Sequence, residues 1–129
     1  MSSPCVLDAS AVLALLNDEP GAGVVQQALL SGAFISSVNL AEVVGKLVEV
    51  GMSPDETRQA VGGLGLGIKE FDSIQGYEAG FLRRRTAEMG LSLGDRACMA
   101  LAIAMTLPIL TADRSWLKAD LPVEVQVLR

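Results

Sequence analysis

Short aliphatic runs alternate along this chain with longer segments of helical periodicity, and this alternation constrains the fold more than any other feature. Strand-like runs cover 5–7, 33–35, 68–71, 108–111 and 123–127. Strands that are separated by helices favour right-handed crossovers and a mainly parallel sheet between helical layers. We therefore predict an α/β fold. No linker or internal repeat divides the sequence, so residues 1–129 are predicted to form one domain.

Capping residues mark where several of the predicted helices begin. Ser53, Pro54 and Glu56 form a capping box with proline at the first helical position. Asp72 and Ser92 are predicted to cap the two helices that follow. The predicted helices cover 11–16, 23–30, about 37–50, a segment that starts at 54, 73–89 and 93–105.

The composition excludes several classes of protein. Half of the residues are hydrophobic and 19% are charged, which excludes a disordered chain, a coiled coil and a collagen-like fibre. Aromatic residues make up 4%, so the core must consist of alanine, valine, leucine and isoleucine. The formal net charge of -5 argues against binding of nucleic acid by bulk charge alone. The sequence contains no histidine, which excludes a Ser-His-Asp triad, a Cys-His dyad and a His-ligated zinc site.

The apolar segments indicate where the protein resides. Asp8 interrupts the first apolar stretch and no basic region precedes it, so the N-terminus is a poor signal peptide. The longest apolar run, 97–110, is interrupted and too short to span a bilayer. Cys5 and Cys98 lie far apart in apolar runs and are predicted to be buried thiols rather than a disulfide. We expect a cytoplasmic protein that does not bind membranes.

A glycine-rich stretch at 62–67 is similar to a nucleotide-binding loop but has the wrong context. A dinucleotide fingerprint requires a strand before the glycines and a helix after them. Here a predicted helix precedes the glycines and a predicted strand follows them. We interpret the stretch as a turn between two elements.

Four carboxylates are placed differently from the other acidic residues, most of which lie on polar faces or in turns. Asp8 and Asp113 each follow a predicted strand, whereas Glu42 and Asp95 lie in the first turns of helices that would rise from the same edge of the sheet. In an open α/β sheet, ligands bind outside the carboxyl ends of the strands. We therefore expect the four carboxylates to converge on one cleft.

Such a cluster of carboxylates requires protons or a divalent cation. Two unit charges about 4 Å apart repel by roughly 4 kcal/mol at an effective dielectric constant of about 20. Oxygen ligands without histidine or a nearby cysteine favour Mg²⁺ or Mn²⁺ over Zn²⁺. A site of this kind organises phosphate oxygens and activates water for in-line displacement at phosphorus.

Each carboxylate also has a purely structural interpretation, which the sequence leaves open. Asp8 and Asp113 could each cap the helix that follows, and Asp95 could complete a capping box with Ser92. Glu42 could interact favourably with the dipole of its own helix.

Hydroxyl and guanidinium groups near the four carboxylates could assist them. Ser10 and Thr111 each stand two residues from a strand-end acid and could hydrogen-bond a carboxylate or a metal-bound water. Alternatively, each could stabilise a turn or cap a helix. Arg96 and Arg114 each neighbour a candidate ligand and are predicted to contact a substrate phosphate, the alternative being a solvated face. The basic run 83–85 fans over about 200° of a helix, so its members cannot all contact one phosphate backbone.

Four stretches of the chain, in this order, resemble the PIN-domain ribonucleases, and specifically the VapC-type toxins of bacterial toxin–antitoxin pairs. The stretches are 6–11 (VLDASA), 37–43 (SVNLAEV), 91–97 (LSLGDRA) and 110–116 (LTADRSW), which together span almost the whole chain. The resemblance implies a three-layer α/β/α sandwich with a central, mainly parallel sheet. It also implies an endoribonuclease that depends on Mg²⁺ or Mn²⁺ and hydrolyses RNA through metal-activated water.

By position, Asp8, Glu42, Asp95 and Asp113 match the acidic quartet of this family. The resemblance implies that Asp8 and Asp95 are the main metal ligands, with the other two binding metal directly or through water. Ser10 matches an accessory polar position of the family, and Thr111 matches another. The implied partners are a cognate VapB-type antitoxin, a structured RNA substrate and a second copy of the chain in a homodimer.

Two other functional classes remain open at this stage: a phospho-acceptor or phosphatase domain, and a non-catalytic binding module. A phosphatase of the haloacid-dehalogenase type would also place an aspartate after the first strand, but it needs a second one two residues later, where this chain has Ser10. A receiver domain would need a lysine soon after its last core strand, and Lys118 comes too late. A non-catalytic α/β binding module, in which the acids serve as helix caps, would show no carboxylate-dependent binding of divalent cations.

Overall fold

The computed structural model describes residues 3–129, which form five strands and six α-helices. The strands are β1 (Cys5–Leu7), β2 (Ala33–Ser36), β3 (Gly67–Lys69), β4 (Ile109–Thr111) and β5 (Val125–Val127). The helices are α1 (Ala9–Leu16), α2 (Ala22–Ser31), α3 (Ser37–Glu49), α4 (Pro54–Gly62), α5 (Ser73–Arg85) and α6 (Leu93–Met105). Two 3₁₀ helices cover Ala87–Met89 and Arg114–Lys118.

All five strands pair in parallel in one sheet, in the order β3-β2-β1-β4-β5. The central strand β1 pairs with β2 through Val6 and Phe34, and with β4 through Val6 and Ile109. The chain therefore builds outward from β1 in one direction as far as β3, and then crosses over to β4. This reversal of strand order lies between β1 and β4, and such a point opens a crevice at the carboxyl ends of the two strands.

Helices cover both faces of the sheet, because alternate side chains of each strand point to opposite faces. Cys5 and Leu7 of β1 pack in one core with residues of α1, α2, α3 and α4. Val6, between them, packs in the second core with α5, α6 and the buried Trp116. The predicted α/β fold, with a parallel sheet between helical layers, is confirmed.

Most predicted helix starts are confirmed by hydrogen bonds. In the capping box of α4, the Glu56 amide donates to Ser53 Oγ (3.1 Å), and the Ser53 amide donates to Glu56 Oε1 (2.9 Å). Asp72 Oδ1 accepts from the Gln75 amide (2.9 Å) and so caps α5. The helix predicted over 73–89 is shorter in the structure: α5 ends at Arg85, and the chain continues as a separate 3₁₀ turn.

The glycine-rich stretch is a turn that runs into a strand. Gly65 adopts φ +72°, in the left-handed region that favours glycine. Gly67 begins β3 directly against the ring of Phe34, and a Cβ at this position would lie 2.6 Å from Phe34 Cδ1. The pairing of β3 with β2 therefore requires glycine at position 67, which confirms an architectural rather than a nucleotide-binding role for this residue.

Cys5 and Cys98 are buried free thiols, as predicted, and burial raises the pKa of Cys5 to about 11. None of the helices within residues 3–129 combines the length and the apolar character needed to cross a bilayer.

Candidate active site

Asp8 lies at the carboxyl end of the central strand and begins the helix that follows. Its Oδ1 accepts a hydrogen bond from the Ala11 amide (2.9 Å), so Asp8 is the N-cap of α1. The capping interpretation of Asp8 is therefore confirmed. A cap uses only one direction of one carboxylate oxygen, so it leaves acceptor sites on this side chain for other groups.

Two hydroxyl groups, one from α1 and one from the end of β4, hold the Asp8 carboxylate. Ser10 Oγ donates to Asp8 Oδ1 at 2.7 Å, and Thr111 Oγ1 donates to Asp8 Oδ2 at 2.7 Å. The same hydroxyl oxygens accept from backbone amides of the chain after β4, Ser10 from Ala112 and Thr111 from Asp113, each at 3.0 Å. Ser10 and Thr111 thus orient Asp8 and tie β1 to the end of β4.

The Asp8 carboxyl is buried, and this determines its protonation. Only 6% of the residue is exposed. Burial raises the pKa of Asp8 from its ordinary 3.8 to about 6, although hydrogen bonds from Thr111, Ser10 and the Ala11 amide lower it. The negative charge of Asp95 raises the pKa further. A positive charge next to this carboxylate would therefore stabilise its ionised form.

Glu42 is oriented by a buried asparagine that our sequence analysis did not single out. Asn39 Nδ2 donates to Glu42 Oε1 (2.7 Å) and to the Gly94 carbonyl oxygen (2.9 Å), which connects α3 to the start of α6. Asn39, Val43 and Leu47 are spaced four residues apart and form the buried face of α3. This helical spacing could have identified Asn39 from the sequence as a polar residue on an apolar face. A buried polar side chain lowers stability unless it forms hydrogen bonds, so a polar residue at a core position indicates a specific bonding role.

Gly94 allows the Glu42 carboxylate to lie directly against the first turn of α6. A Cβ at Gly94 would lie 2.5 Å from Glu42 Oε1, closer than atoms can approach. This contact brings the Glu42 carboxylate to the first turn of α6, in which Asp95 is the residue after Gly94. Glycine at this position therefore permits a candidate ligand of α3 to lie directly against α6.

Asp95 completes the cap of α6, and its charge acts on Asp8. Its Oδ2 accepts from the Ser92 amide (3.0 Å), and its own amide donates to Ser92 Oγ (3.1 Å), so the predicted capping box is present. The pKa of the buried Cys98 thiol depends on the charges that surround it. Burial raises its pKa well above the ordinary value, and the negative charges of Asp8, Asp95 and Glu42 raise it further. These three carboxylates therefore lie within electrostatic reach of one point on α6.

Asp113 is exposed and lies at the end of β4. Its Oδ1 accepts from the Ser115 amide (2.9 Å) and from Ser115 Oγ (2.7 Å), which caps the 3₁₀ helix that follows, as the structural interpretation predicted. Its backbone amide donates to Thr111 Oγ1, the hydroxyl that holds Asp8. Asp113 is thus connected to the other acids through the backbone and Thr111 rather than by direct contact.

The donor set is suited to a hard divalent cation. All four candidate side chains offer carboxylate oxygens, and the ion pairs found within residues 3–129 (Lys46–Glu49, Arg85–Asp120 and Arg129–Glu19) involve none of them. The carboxylates therefore lack a basic side chain that would compensate their charge. In the described part of the chain, no three acidic or thiol groups are already arranged as the ligands of one ion. The residues fit Mg²⁺ or Mn²⁺ by chemistry, since these ions are held by few carboxylates plus water and substrate oxygens.

The predicted phosphate contact of Arg96 needs correction, because this side chain points away from the exposed surface. Arg96 is buried, and its Nη1 donates to the Ala79 carbonyl oxygen of α5 (2.9 Å). Its position next to Asp95 in sequence places it on the core side of α6, against α5. Arg114 is exposed as predicted, and its Nη1 donates to the Arg129 carbonyl oxygen (3.0 Å).

The fold and the carboxylates define a parallel α/β domain with an acidic site at the strand-order reversal of its sheet. Residues 5–121 of the chain match the family model described as the PIN domain. The chain therefore belongs to the PIN-domain family, as the four motifs predicted. No match to a curated protein sequence reaches significance.

Solved structures with the same fold include several toxin–antitoxin complexes. A chain of the DNA-bound VapBC complex from Salmonella typhimurium superposes with a TM-score of 0.75 and 18% identity, over all of both chains. A toxin–antitoxin complex from Klebsiella pneumoniae gives 0.74 and 18%, over 97% of this chain and 98% of the other. VapBC-5 from Mycobacterium tuberculosis gives 0.61 and 22%, also over 97% and 98%. The TM-scores show a shared fold.

Proposed function

We propose that this PIN-domain protein is an endoribonuclease that depends on Mg²⁺ or Mn²⁺ and acts as the toxin of a toxin–antitoxin pair. The observation that carries the proposal is the arrangement at the reversal of strand order. There, the buried carboxylate of Asp8, with a raised pKa, lies within electrostatic reach of Asp95, and no basic side chain of residues 3–129 forms an ion pair with it. A cation is the simplest group that stabilises such an arrangement.

Four carboxylates would hold the cation, and other residues would position them. Asp8 and Asp95 are the proposed principal ligands, and Glu42 and Asp113 would bind directly or through water. Ser10 and Thr111 keep Asp8 in one orientation (Oγ to Oδ1 and Oγ1 to Oδ2, both 2.7 Å). Asn39 does the same for Glu42 (2.7 Å). Such supporting partners commonly alter metal affinity by 10- to 100-fold.

The chemistry proposed is hydrolysis of an RNA phosphodiester. When bound, the cation would activate water and neutralise negative charge on the phosphate. The chain itself offers no histidine, and its two thiols are buried with raised pKa values, so neither thiol is suited to act as a nucleophile. When ionised, the acidic side chains at the cleft accept hydrogen bonds and donate none, so they can orient water but not bind an anion directly.

The proposed partners follow from the resemblance and from the complexes that share the fold. We propose a VapB-type antitoxin as the inhibitor, because several structures of the same fold are toxin–antitoxin complexes. We propose structured RNA as the substrate and the cytoplasm as the place of action. Arg114 stays a proposed phosphate contact because it is exposed next to Asp113. We also propose that two copies of the chain form a homodimer, as the resemblance implies.

The decisive experiment is cleavage of a structured RNA by the purified chain, free of any partner. We expect endonucleolytic cutting in Mg²⁺ or Mn²⁺ that EDTA stops, with products carrying a 5′-phosphate and a 3′-hydroxyl because water attacks. Asp95→Asn should lose this activity while remaining folded. Asp55→Asn is the matched control, since Asp55 is an exposed first-turn acid of α4, away from the cleft.

Two results would overturn the proposal. One is a product with a 2′,3′-cyclic phosphate, which indicates attack by the RNA itself. The other is cutting that survives both EDTA and the Asp95 change, which indicates a contaminating nuclease. A protein that folds normally, binds no divalent cation and cuts no RNA would instead be a binding module whose acids are helix caps.

A further inference from the structure

Leu128, which follows β5, contacts both of the chain segments that flank Asp8. Its amide donates to the Thr111 carbonyl oxygen (2.9 Å), at the end of β4. Its side chain is 8% exposed and packs in the core that contains Val12 of α1 and Val25 of α2. Leu128 therefore connects the helices that follow Asp8 to the strand that carries Thr111.

The backbone of Gly21 lies directly against Leu128. Gly21 is the N-cap of α2, with φ +98°, and a Cβ at this position would lie 2.6 Å from Leu128 Cβ and 3.2 Å from the Leu128 carbonyl oxygen. Because the backbone fixes the position of a Cβ atom, no change of rotamer would relieve such a contact. Glycine thus allows the turn between α1 and α2, residues 17–21, to pack against the segment that follows β5.

Arg129 connects the same turn to the chain after β4. Its Nη1 donates to the Pro20 carbonyl oxygen (2.7 Å) and lies 3.7 Å from Glu19 Oε1. Its own carbonyl oxygen accepts from Arg114 Nη1 (3.0 Å). Leu128 and Arg129, which we call the 128–129 clip, therefore link the turn between α1 and α2 to the end of β4 and the residues after it.

The clip joins the same two segments that meet at Asp8. There, Ser10 of α1 and Thr111 of β4 both donate to the carboxylate, and the Ala112 amide donates to Ser10 Oγ (3.0 Å). These hydrogen bonds keep their geometry only if α1 stays at a fixed distance from the end of β4. A functional side chain must be held within about 0.5 Å of its working position, so the separation of the two segments matters for Asp8.

We propose that the 128–129 clip holds α1 against the end of β4 and thereby positions the carboxylate of Asp8 for its role as a ligand. Leu128 and Arg129 are then positioning residues, which contact neither the cation nor the substrate. The proposal rests on the metal site of the proposed function, but the separation of the two segments can also be tested without a cation. Residues that support metal ligands commonly alter metal affinity by 10- to 100-fold, and displacing the clip should have an effect at the lower end of this range.

Gly21→Ala displaces the clip, and Gly32→Ala is its matched control. The two glycines lie at opposite ends of α2 and both have positive φ (+98° and +102°), so alanine introduces backbone strain at each position. A Cβ at Gly32 would meet only Pro4, at 3.9 Å, and would leave the clip in place. Calorimetry is done with Mn²⁺ alone, at a temperature where urea denaturation shows that both variants are folded. Gly21→Ala should bind Mn²⁺ roughly tenfold more weakly than the wild type, and Gly32→Ala should bind it equally well.

Arg129→Ala tests the other half of the clip, with Arg85→Ala as its matched control. Arg85 is also an exposed arginine that donates to one backbone carbonyl oxygen and lies near one carboxylate, both of Asp120. Arg129→Ala should weaken the binding of Mn²⁺, and Arg85→Ala should leave it unchanged. Arg129→Lys keeps a donor for the Pro20 carbonyl oxygen and should restore the affinity.

Hydrogen exchange in EDTA measures the same positioning without a cation. The Ala112 amide donates to Ser10 Oγ, so its exchange should be faster in Gly21→Ala and unchanged in Gly32→Ala. Equal exchange rates and equal Mn²⁺ affinities in the two glycine variants would overturn the proposal and leave the metal site intact. A wild-type chain that binds no Mn²⁺ would instead refute the metal site, and faster exchange confined to Gly21→Ala would still support the clip.

Discussion

Replacing the buried Asp8 by asparagine should stabilise the metal-free protein at neutral and alkaline pH but not in acid. Because burial raises the pKa of Asp8 from 3.8 to about 6, the folded state holds this proton more tightly than the unfolded state. At about pH 4 the folded state is protonated at Asp8 and the unfolded state is only about half ionised, so most of the cost of burying the charge is absent. As the pH rises towards 6, the unfolded state ionises first and wild-type stability falls; above that pH the loss is complete.

The size of the effect follows from the two pKa values. A tenfold change in proton affinity corresponds to about 1.4 kcal/mol, so the difference between 3.8 and about 6 amounts to about 3 kcal/mol. Asparagine can keep the cap to the Ala11 amide, but its NH₂ group requires a hydroxyl of Ser10 or Thr111 to turn and accept. Losing one such hydrogen bond costs about 1 kcal/mol. We expect Asp8→Asn to exceed the wild type by about 2 kcal/mol at pH 8.

Urea denaturation in EDTA measures this difference, at about pH 4 and again at about pH 8. The comparison of variant and wild type at each pH cancels the titration of the other carboxylates. Asp55→Asn, an exposed acid elsewhere, should show no such pH-dependent gain. A stability difference between Asp8→Asn and wild type that is the same at both pH values would refute the argument that burial of this charge is costly.

Four further predictions concern the site and the arginines. Mg²⁺ should raise the free energy of unfolding of the wild type by about 2.7 kcal/mol at a concentration 100 times its Kd, which raises the Tm, and Asp95→Asn should lose most of this gain. Gly94→Ala should displace the Glu42 carboxylate and so weaken metal binding, measured by calorimetry, by roughly tenfold. The Tm should change little, because the Glu42 side chain is exposed. Arg96→Ala should lower the unfolding free energy by about 1–3 kcal/mol in urea and leave the salt dependence of RNA binding unchanged. Arg114→Ala should reduce the slope of log affinity against log salt by roughly one, with normal stability.

Much of the fold could be predicted from local sequence, because the signals concerned act over a few residues. The capping box at Ser53, the cap at Asp72 and the aliphatic run at Cys5–Leu7 all match the structure. Interactions that depend on neighbours in space could not be predicted in the same way. Thr86 ends α5 early, with its hydroxyl donating to the Leu82 carbonyl oxygen (2.8 Å), and nothing in the pattern before it indicates this.

The candidate site shows the same division. Sequence placed Asp8 after a strand and Asp95 in a capping box, because both depend on local backbone geometry. Only the crossover from β3 to β4 brings Thr111 to Asp8 and so orients the carboxylate. The raised pKa of Asp8 also depends on the packing that excludes water from it.

Two residues illustrate what only the tertiary structure decided. The sequence places Asn39 on the same helix face as Val43 and Leu47, but only the packing of α6 against α3 supplies the carbonyl oxygen that holds Asn39 beside Glu42. Arg96 neighbours Asp95 in sequence but lies on the core side of α6, where α5 takes its hydrogen bond. Sequence by itself determined which elements form and which acids stand at their ends, since those are short-range properties. Packing of the elements decided which side chains meet, because that depends on contacts between residues distant in the chain.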